Sequence, residues 1–209
     1  NNYPVDFLLN NLEIQNNLIS GCFEANIDRV IFFGSSCIYP KHYYKKNKSF
    51  KEEHMLSGNL ELTNEPYAIA KIAGIKLCES YNRQYNRDYR SIIPCNLYGP
   101  NDNFHPDNSH VLAALIKKFN YAKKNNHKLV KIWGTGNVKR EFLHVDDLAN
   151  ASFILSSLSK VEYKSLTAPQ QSFLNVGSGQ EISIKELCKI ISKTINYECK
   201  LDFDLNKPD

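Results

Sequence analysis

The chain has 209 residues, of which 42% are hydrophobic and 23% are charged, so it can bury the core of one globular domain or somewhat more. Its mean hydropathy is −0.44, and no apolar run approaches the roughly 20 residues of a membrane helix, so we expect no membrane association. The formal charge of +4 suits an anionic small ligand but is too slight to predict binding to nucleic acid.

The cysteines and the first residues of the chain indicate the cellular compartment in which we expect the protein. The six cysteines form no Cys-x-x-Cys pair and no Cys/His spacing typical of zinc, so we expect no metal site and reduced thiols in a cytoplasmic protein. The first residues lack an initiator Met, a basic segment and an apolar segment. We therefore expect no signal peptide and interpret the sequence as a piece of a longer chain.

The first half of the chain predicts alternating helices and strands. A 3.6-residue apolar period predicts a helix over Val5–Asn26, and the short apolar run Arg29–Gly34 predicts a strand buried on both faces. The polar segment Pro40–Asn64 predicts a long loop. A helix should follow over Glu65–Tyr85, with proline suited to its first turn, and then a strand over Arg90–Cys95.

The second half continues the same alternation. In order, we predict a loop over 96–108, a helix over 109–124, a strand over 129–133, a hairpin-like turn over 134–136, a helix over 145–158 capped by Asp146, a loop over 159–171, a strand over 173–176 and a helix over 183–195. Such alternation is typical of a mainly parallel sheet with helices on both faces, whose ligand site lies at the carboxyl ends of the strands. No Gly-x-Gly-x-x-Gly phosphate-binding turn occurs.

Three residue types point to proton and hydride chemistry. Tyr67 and Lys71 are four residues apart, which places a phenol and an ammonium on one face of the predicted helix. A lysine charge should lower the pKa of the phenol and let it exchange a proton with a carbonyl oxygen. Ser35 follows an apolar strand, where its hydroxyl could bind the same oxygen.

Several longer segments carry a resemblance to a known family. They are Gly34–Lys41, Thr63–Lys76, Asn96–Pro106, Ser109–His110 and Arg140–Asp147. With them, the chain resembles the extended short-chain dehydrogenase/reductase superfamily, and within it the enzymes that epimerise and reduce a GDP-4-keto-6-deoxy sugar.

The resemblance implies an α/β fold: a Rossmann-like doubly wound parallel sheet, incomplete at its N-terminus, with a smaller C-terminal substrate-binding region. Residues 1–100 would form the C-terminal part of an NADP-binding Rossmann domain. Residues 101–209 would be mainly substrate-binding, with segments about 140–160 returning to the Rossmann domain. Family members begin with a glycine-rich unit that this sequence does not contain.

The resemblance also assigns catalytic roles. Ser35, Tyr67 and Lys71 match the reductase residues, and Cys37 and His110 match an epimerisation pair. Inverting a carbon beside a ketone requires one group that removes a proton and another that returns one to the opposite face, and a thiol and an imidazole suit these tasks.

Ligand contacts follow from the same resemblance. The positions matching NADP contacts are Phe33, Gly34, Ser35, Ser36, Lys71, Pro94, Cys95, Asn96, Leu97 and His110. The positions matching contacts with the GDP-sugar substrate are Lys118, Trp133, Arg140 and Asp209. Arginine can bind a diphosphate with two hydrogen bonds, lysine adds a point charge, and tryptophan offers a flat face or an indole N–H.

The implied activity is 3,5-epimerisation followed by NADPH-dependent 4-reduction of GDP-4-keto-6-deoxy-D-mannose. Two alternatives stay open: an NAD-dependent nucleotide-sugar epimerase or dehydratase, and a truncated, non-catalytic fragment that only binds a ligand or partner. Likeness to the family also implies a homodimer, formed through the helices predicted over Val5–Asn26 and Pro66–Tyr85.

Overall fold

A computed structural model describes residues 3–44, 50–105 and 109–207. The helices of the described residues are α1 (Pro4–Glu24), α2 (Lys41–Tyr44), α3 (Glu65–Tyr85), α4 (Val111–Lys124), α5 (Val145–Ser157), α6 (Lys160–Ser165) and α7 (Ile184–Thr194). The strands are β1 (Arg29–Phe33), β2 (Asp88–Pro94), β3 (Asn96–Tyr98), β4 (Leu129–Trp133), β5 (Lys139–His144), β6 (Phe173–Val176), β7 (Glu181–Ser183) and β8 (Lys200–Asp204). None of these helices is long and apolar enough to cross a membrane.

The chain divides into two compact units. Unit 1 comprises Asn1–Cys95 and Asp146–Gly177, and unit 2 comprises Asn96–Val145 and Ser178–Asp209.

Unit 1 contains a parallel sheet in the order β1-β2-β6. Successive side chains of a strand point to opposite faces, so the side chains of β2 contact helices on both faces of the sheet. On one face, Tyr89 packs in a cluster with residues of α1 and α3, and Ile93 packs with residues of α3. On the other face, the Arg90 guanidinium lies 4.7 Å from the ring centre of Tyr163 in α6. The sheet therefore has helices on both sides, which confirms the predicted α/β class with a parallel sheet.

A buried charge network joins β1, β2 and α5. Arg90 is 0% exposed and donates to both carboxylate oxygens of Asp88, at 2.8 and 2.7 Å. Arg29 donates to the same carboxylate at 2.8 Å. The two guanidinium groups also donate to carbonyl oxygens at the carboxyl end of α5, those of Leu155, Ser156 and Leu158. They thus satisfy acceptors that a helix end leaves free and place positive charge where the helix dipole favours it.

Unit 2 contains two small sheets. β3 pairs with β5 in parallel and β5 pairs with β7 in antiparallel, while β4 and β8 form a separate parallel pair. Its core is an apolar cluster around Phe119 of α4, Val130 and Ile132 of β4, and Leu187 and Ile191 of α7. A capping box formed by Ser183 and Glu186 starts α7.

Most predicted elements occur within two residues of their predicted ends. One two-residue difference is at the start of β2, which begins at Asp88 rather than Arg90. Asp88 and Arg90 are charged but pair with each other inside the sheet, so their polarity does not end the strand. The helix predicted over Glu65–Tyr85 has those bounds, with proline in its first turn and Asn86 in a left-handed conformation (φ 52°) at its end.

Other expectations were wrong. The predicted loop over 159–171 contains α6, which begins with a capping box of Ser159 and Glu162. The predicted loop over 40–64 contains α2 and a short 3-10 turn over Glu52–His54, and its residues 45–49 lie outside the described residues. The predicted loop over 96–108 begins with β3, because these residues pair with β5.

The region after β4 also differs from the prediction. Gly134 and Gly136 have positive φ angles of 67° and 70°, as in a turn, but the flanking strands do not form a hairpin. Instead β4 pairs with β8, and β5 pairs with β3 and β7. Asp146 lies in the first turn of α5 rather than before it, because that helix already begins at Val145.

Candidate active site

The end of β1 supplies the first part of the site. The strand stops at Phe33, and Gly34 follows it in close contact with β2: a Cβ added to Gly34 would lie 2.4 Å from Cδ1 of Ile93. A larger residue at this position would have to displace the buried Ile93 side chain. The chain then enters a 3-10 turn, Ser36–Ile38, in which the Ser35 hydroxyl accepts a hydrogen bond from the backbone N–H of Cys37 at 3.4 Å. Ser35 and Cys37 are thus held side by side at the carboxyl end of a parallel strand.

The turn is anchored by the residues that follow it. Tyr39 is 1% exposed, stacks on Phe50 with ring centres 4.7 Å apart, and donates from its hydroxyl to the side-chain oxygen of Asn175 in β6. Asn175 in turn donates from its backbone N–H to Glu52 at 2.8 Å. The end of β6 therefore fixes both the turn that bears Cys37 and part of the long segment after it.

Helix α3 supplies Tyr67 and Lys71. The two residues just before the helix are held by Glu61, whose carboxylate accepts hydrogen bonds from the backbone N–H groups of Thr63 and Asn64, each at 3.1 Å. A carboxylate near a helix N-terminus also complements the helix dipole. Sequence reasoning did not select Glu61, because it lies in the polar segment 40–64, for which the sequence predicts a loop.

The ammonium group of Lys71 joins the two parts. Its Nζ donates to the carbonyl oxygen of Phe33 at 3.0 Å and lies 5.6 Å from the ring centre of Tyr67. Lys71 also interacts electrostatically with Cys37, which in turn influences Tyr67. Unit 1 therefore brings together Ser35, Cys37, Tyr67 and Lys71.

The pKa of Tyr67 in this cluster shifts in the opposite direction to the prediction. Burial, together with the charge of Cys37, raises the pKa of Tyr67, whereas we predicted that Lys71 would lower it. Burial lowers the pKa of Lys71. Burial also raises the pKa of the Cys37 thiol, although the Ser35 hydrogen bond and the Lys71 charge oppose this. Desolvation outweighs the neighbouring charge because partly buried groups lose the water that stabilises their ionised forms.

The remaining candidates in unit 1 lie at strand ends. Phe33 is 42% exposed, Pro94 is the buried last residue of β2, and the backbone N–H of Cys95 donates to Val176 at 3.1 Å. These residues, like Ser35 and the Phe33 carbonyl that accepts a hydrogen bond from Lys71, lie at the carboxyl ends of strands, which is where parallel α/β sheets bind ligands.

Unit 2 holds the other candidates. Asn96 and Leu97 lie in β3, and His110 is the exposed residue immediately before α4. Arg140 lies in β5 and Asp209 lies outside the described residues. Because Cys37 and His110 belong to different units, their pairing stays a prediction.

Two of the predicted substrate residues are neighbours in unit 2. Nζ of Lys118 lies 5.3 Å from the ring centre of Trp133 and donates to the carbonyl oxygen of Lys131 at 3.1 Å. Lys207 approaches the same ring, with its Nζ at 5.4 Å. Sequence reasoning missed Lys207, because a lysine in a polar turn carries no local signal of its neighbours.

Comparison with known proteins defines the class. The sequence signature of the NAD dependent epimerase/dehydratase family matches residues 1–164, and the chain belongs to this family.

Individual relatives are more specific. The chain is 50% identical to GDP-L-fucose synthase of Escherichia coli (strain K12) over 209 residues, which is 100% of this chain and 64% of that protein. A solved structure of a GDP-D-glycero-L-gluco-heptose synthase from Campylobacter jejuni in the presence of NADPH is 34% identical, with a TM-score of 0.84 over 96% of this chain and 67% of that one. A GDP-L-fucose synthetase from Naegleria fowleri bound to NADP is 26% identical, with a TM-score of 0.85 over 99% of this chain and 63% of that one. The chain thus spans less than two thirds of the E. coli relative's length.

Proposed function

We propose that the protein is an NADP-dependent enzyme that epimerises GDP-4-keto-6-deoxy-D-mannose at C3 and C5 and reduces it at C4, forming GDP-L-fucose. The observation that carries this proposal is the cluster of Ser35, Cys37, Tyr67 and Lys71 at the carboxyl end of β1. The 50% identity to an E. coli GDP-L-fucose synthase supports the choice of substrate. In this proposal unit 1 binds NADP and unit 2 binds most of the GDP-sugar.

The reduction uses three side chains of unit 1. Ser35 donates a hydrogen bond to the 4-keto oxygen, and Tyr67 delivers a proton to that oxygen. The raised pKa of Tyr67 keeps its phenol protonated before the reaction, as a proton donor requires. Once the proton has left, the Lys71 ammonium stabilises the phenolate.

NADP is the cofactor that fits these residues. An exposed phenyl ring, a hydroxyl and an ammonium are grouped at one strand end, through Phe33, Ser35 and Lys71. They combine an apolar surface with hydrogen-bond donors, as a nicotinamide riboside needs. Gly34, Ser36, Pro94, Cys95, Asn96, Leu97 and His110 would complete the contacts. When bound, NADPH supplies the hydride for C4.

The epimerisation uses Cys37 and His110. The 4-keto group acidifies the hydrogens on C3 and C5, so that a thiolate or an imidazole can remove one and the other group can return a proton. Because burial raises the pKa of Cys37, we expect proton exchange at these carbons to become faster as the pH rises above neutrality.

The test is solvent exchange into the substrate. We expect the protein, given GDP-4-keto-6-deoxy-D-mannose in deuterated water without NADPH, to introduce two carbon-bound deuterons, detected by mass spectrometry. Cys37→Ser should slow this exchange at least about 100-fold, and Tyr67→Phe should retain exchange but lose NADPH-dependent reduction. Cys22→Ser, which changes a half-buried thiol of α1, is the matched control. A single deuteron or none would contradict the proposal, and so would unchanged exchange in Cys37→Ser.

We further propose a homodimer formed through α1 and α3. Helix α1 exposes Phe7, Ile14 and Leu18 by 47%, 61% and 64%, at a spacing of seven and four residues that places them on one face. Helix α3 exposes Ile69 and Tyr85. Leu18→Glu should shift the mass measured by light scattering from dimer to monomer, while Leu62→Glu, at a 71% exposed position outside the helices, should leave it unchanged. A monomeric wild-type protein would disprove this.

We also propose that the protein works in the cytoplasm. All six cysteines are free in the structure, which agrees with a reducing compartment. Fractionation of the producing cells should recover the protein with cytoplasmic markers.

A further inference from the structure

At the carboxyl end of the β4/β8 pair in unit 2, two lysine side chains approach the same indole ring. Trp133 and Asp204 are paired last residues of the two strands. After β8 the chain turns, with the backbone N–H of Lys207 donating to the carbonyl oxygen of Asp204 at 3.1 Å. This turn places Nζ of Lys207 5.4 Å from the Trp133 ring centre, while α4 places Nζ of Lys118 at 5.3 Å.

Three lysines and one aspartate meet at this site. Asp204 forms its ion pair with Lys131 at 3.1 Å, and the charge of Lys207 also helps to lower the pKa of Asp204. No ion pair among the described residues includes Lys118 or Lys207. Both ammonium groups therefore face the same indole, which is 54% exposed. Burial lowers the pKa of Lys118, so its ammonium has lost part of its hydration. An anion that reached both lysines would pair with their charges and replace the water that Lys118 has lost.

We propose that Lys207 is a phosphate-binding residue, which together with Lys118 holds the diphosphate of the nucleotide sugar beside Trp133. This inference rests on the proposed function, since it takes the ligand to be a nucleoside diphosphate. Lysine ammonium groups bind phosphate as point charges with three donors each. Two ammonium groups beside one aromatic ring can each bind one of the two linked phosphates of a diphosphate. A monophosphate can pair with only one of the two ammonium groups at close range.

The experiment uses the only tryptophan of the chain as its reporter. Because Trp133 is the sole tryptophan, its fluorescence reports on this site alone. We expect GDP to change the fluorescence of the wild-type protein and to bind more tightly than GMP. Lys207→Gln should weaken GDP binding about tenfold, as expected for a lost charge-assisted hydrogen bond, and should leave guanosine binding unchanged. Lys207→Arg should restore most of the GDP affinity.

The control is Lys200→Gln, which removes an exposed lysine at the other end of β8 and should leave GDP binding unchanged. If Lys207→Gln binds GDP as tightly as Lys200→Gln does, the inference is overturned while the proposed function stands. If Lys207→Gln weakens guanosine as much as GDP, the residue only supports the indole and the phosphate role is wrong. If the wild-type protein itself does not bind GDP, by fluorescence and by calorimetry, the proposed substrate class fails and the inference fails with it.

Discussion

The two units bury different kinds of side chain. Unit 1 encloses Arg90, Asp88 and Glu79, which are 0%, 4% and 1% exposed. Every buried polar or charged residue among the described residues belongs to unit 1, whereas the buried residues of unit 2 are apolar. The net charges of the two units show the opposite contrast. Unit 1 has 13 Lys and Arg and 13 Asp and Glu, while unit 2 has 13 and 9, so the net charge of +4 resides in unit 2.

The contrast shows two ways of building a site. In unit 1, paired charges and hydrogen bonds fix the ends of strands and helices, so that small groups such as the Ser35 hydroxyl are held in a defined position. Burying charge is costly unless each charge is paired, but the pairs specify one arrangement. In unit 2, non-directional packing supplies the stability and leaves lysines at the surface, where they can face an anionic ligand.

We expect the largest loss of stability from a substitution that disrupts the apolar core of unit 2. Phe119 is 0% exposed, and Phe119→Ala should lower the free energy of unfolding by about 4 kcal/mol, because it removes buried area and leaves a cavity. Amide hydrogen exchange should quicken in α4 and α7 and stay unchanged in β1 and β2. The control, Tyr121→Ala at a 61% exposed position of α4, should cost less than about 1 kcal/mol. Equal acceleration of hydrogen exchange in both units would contradict the view that apolar packing stabilises unit 2 in particular.

We expect the next largest loss of stability from a substitution that disrupts the charge network of unit 1. Asp88→Asn removes the carboxylate that two arginines share and leaves the Arg90 charge buried without its partner. We expect a loss of about 3 kcal/mol in urea unfolding, with faster hydrogen exchange in β2 and α5. Asp28→Asn is the matched control, since Asp28 is 70% exposed and lies 3.9 Å from Arg87. Its loss should stay below about 1 kcal/mol, and similar losses in both variants would show that burial of the pair is unimportant.

A smaller effect concerns the close approach at the end of β1. Gly34→Ala would place a Cβ 2.4 Å from Cδ1 of Ile93, so we expect it to destabilise the protein by about 2 kcal/mol. Gly21→Ala in α1 meets no atom within 4 Å and should instead stabilise the helix by up to about 1 kcal/mol. Thermal unfolding of both variants shows whether each substitution raises or lowers the melting temperature. An unchanged melting temperature in Gly34→Ala would show that this strand end is loosely packed.

We expect the smallest effect on stability from lowering the pH. Burial raises the pKa of Asp88, but the hydrogen bonds and charges of Arg90 and Arg29 outweigh it and hold that pKa below its ordinary value. The stability that Asp88 contributes is therefore complete above the unfolded pKa of about 3.9 and is lost as the pH falls through the lower folded value. Urea unfolding between pH 5 and about pH 3 should show this decline. Asp88→Asn should show a flatter decline, and parallel curves for the two proteins would contradict the assignment.

Much of the fold could be predicted because its signals are local. The apolar period of α1, the β-rich run of β1 and the proline in the first turn of α3 lie within a few residues of the structure they cause. The capping box of Ser159 and Glu162 was an equally local signal for α6 that the polar composition around it obscured.

The candidate site was only partly accessible to the same reasoning. The four-residue spacing of Tyr67 and Lys71 shows that they share a helix face, and the position of Ser35 after an apolar strand places it at a sheet edge. Local spacing does not give the burial of a group, and so the direction of the Tyr67 pKa shift was predicted wrongly.

The sequence by itself therefore determined most helices and buried strands, together with the residue types available for chemistry, because these depend on neighbours along the chain. Only the tertiary structure decided that β4 pairs with β8 about 70 residues later, that Arg90 is paired inside the sheet, and that Lys207 lies against Trp133. The physical reason is that strand pairing, desolvation and charge compensation depend on groups that are distant in sequence and meet only when the chain has folded.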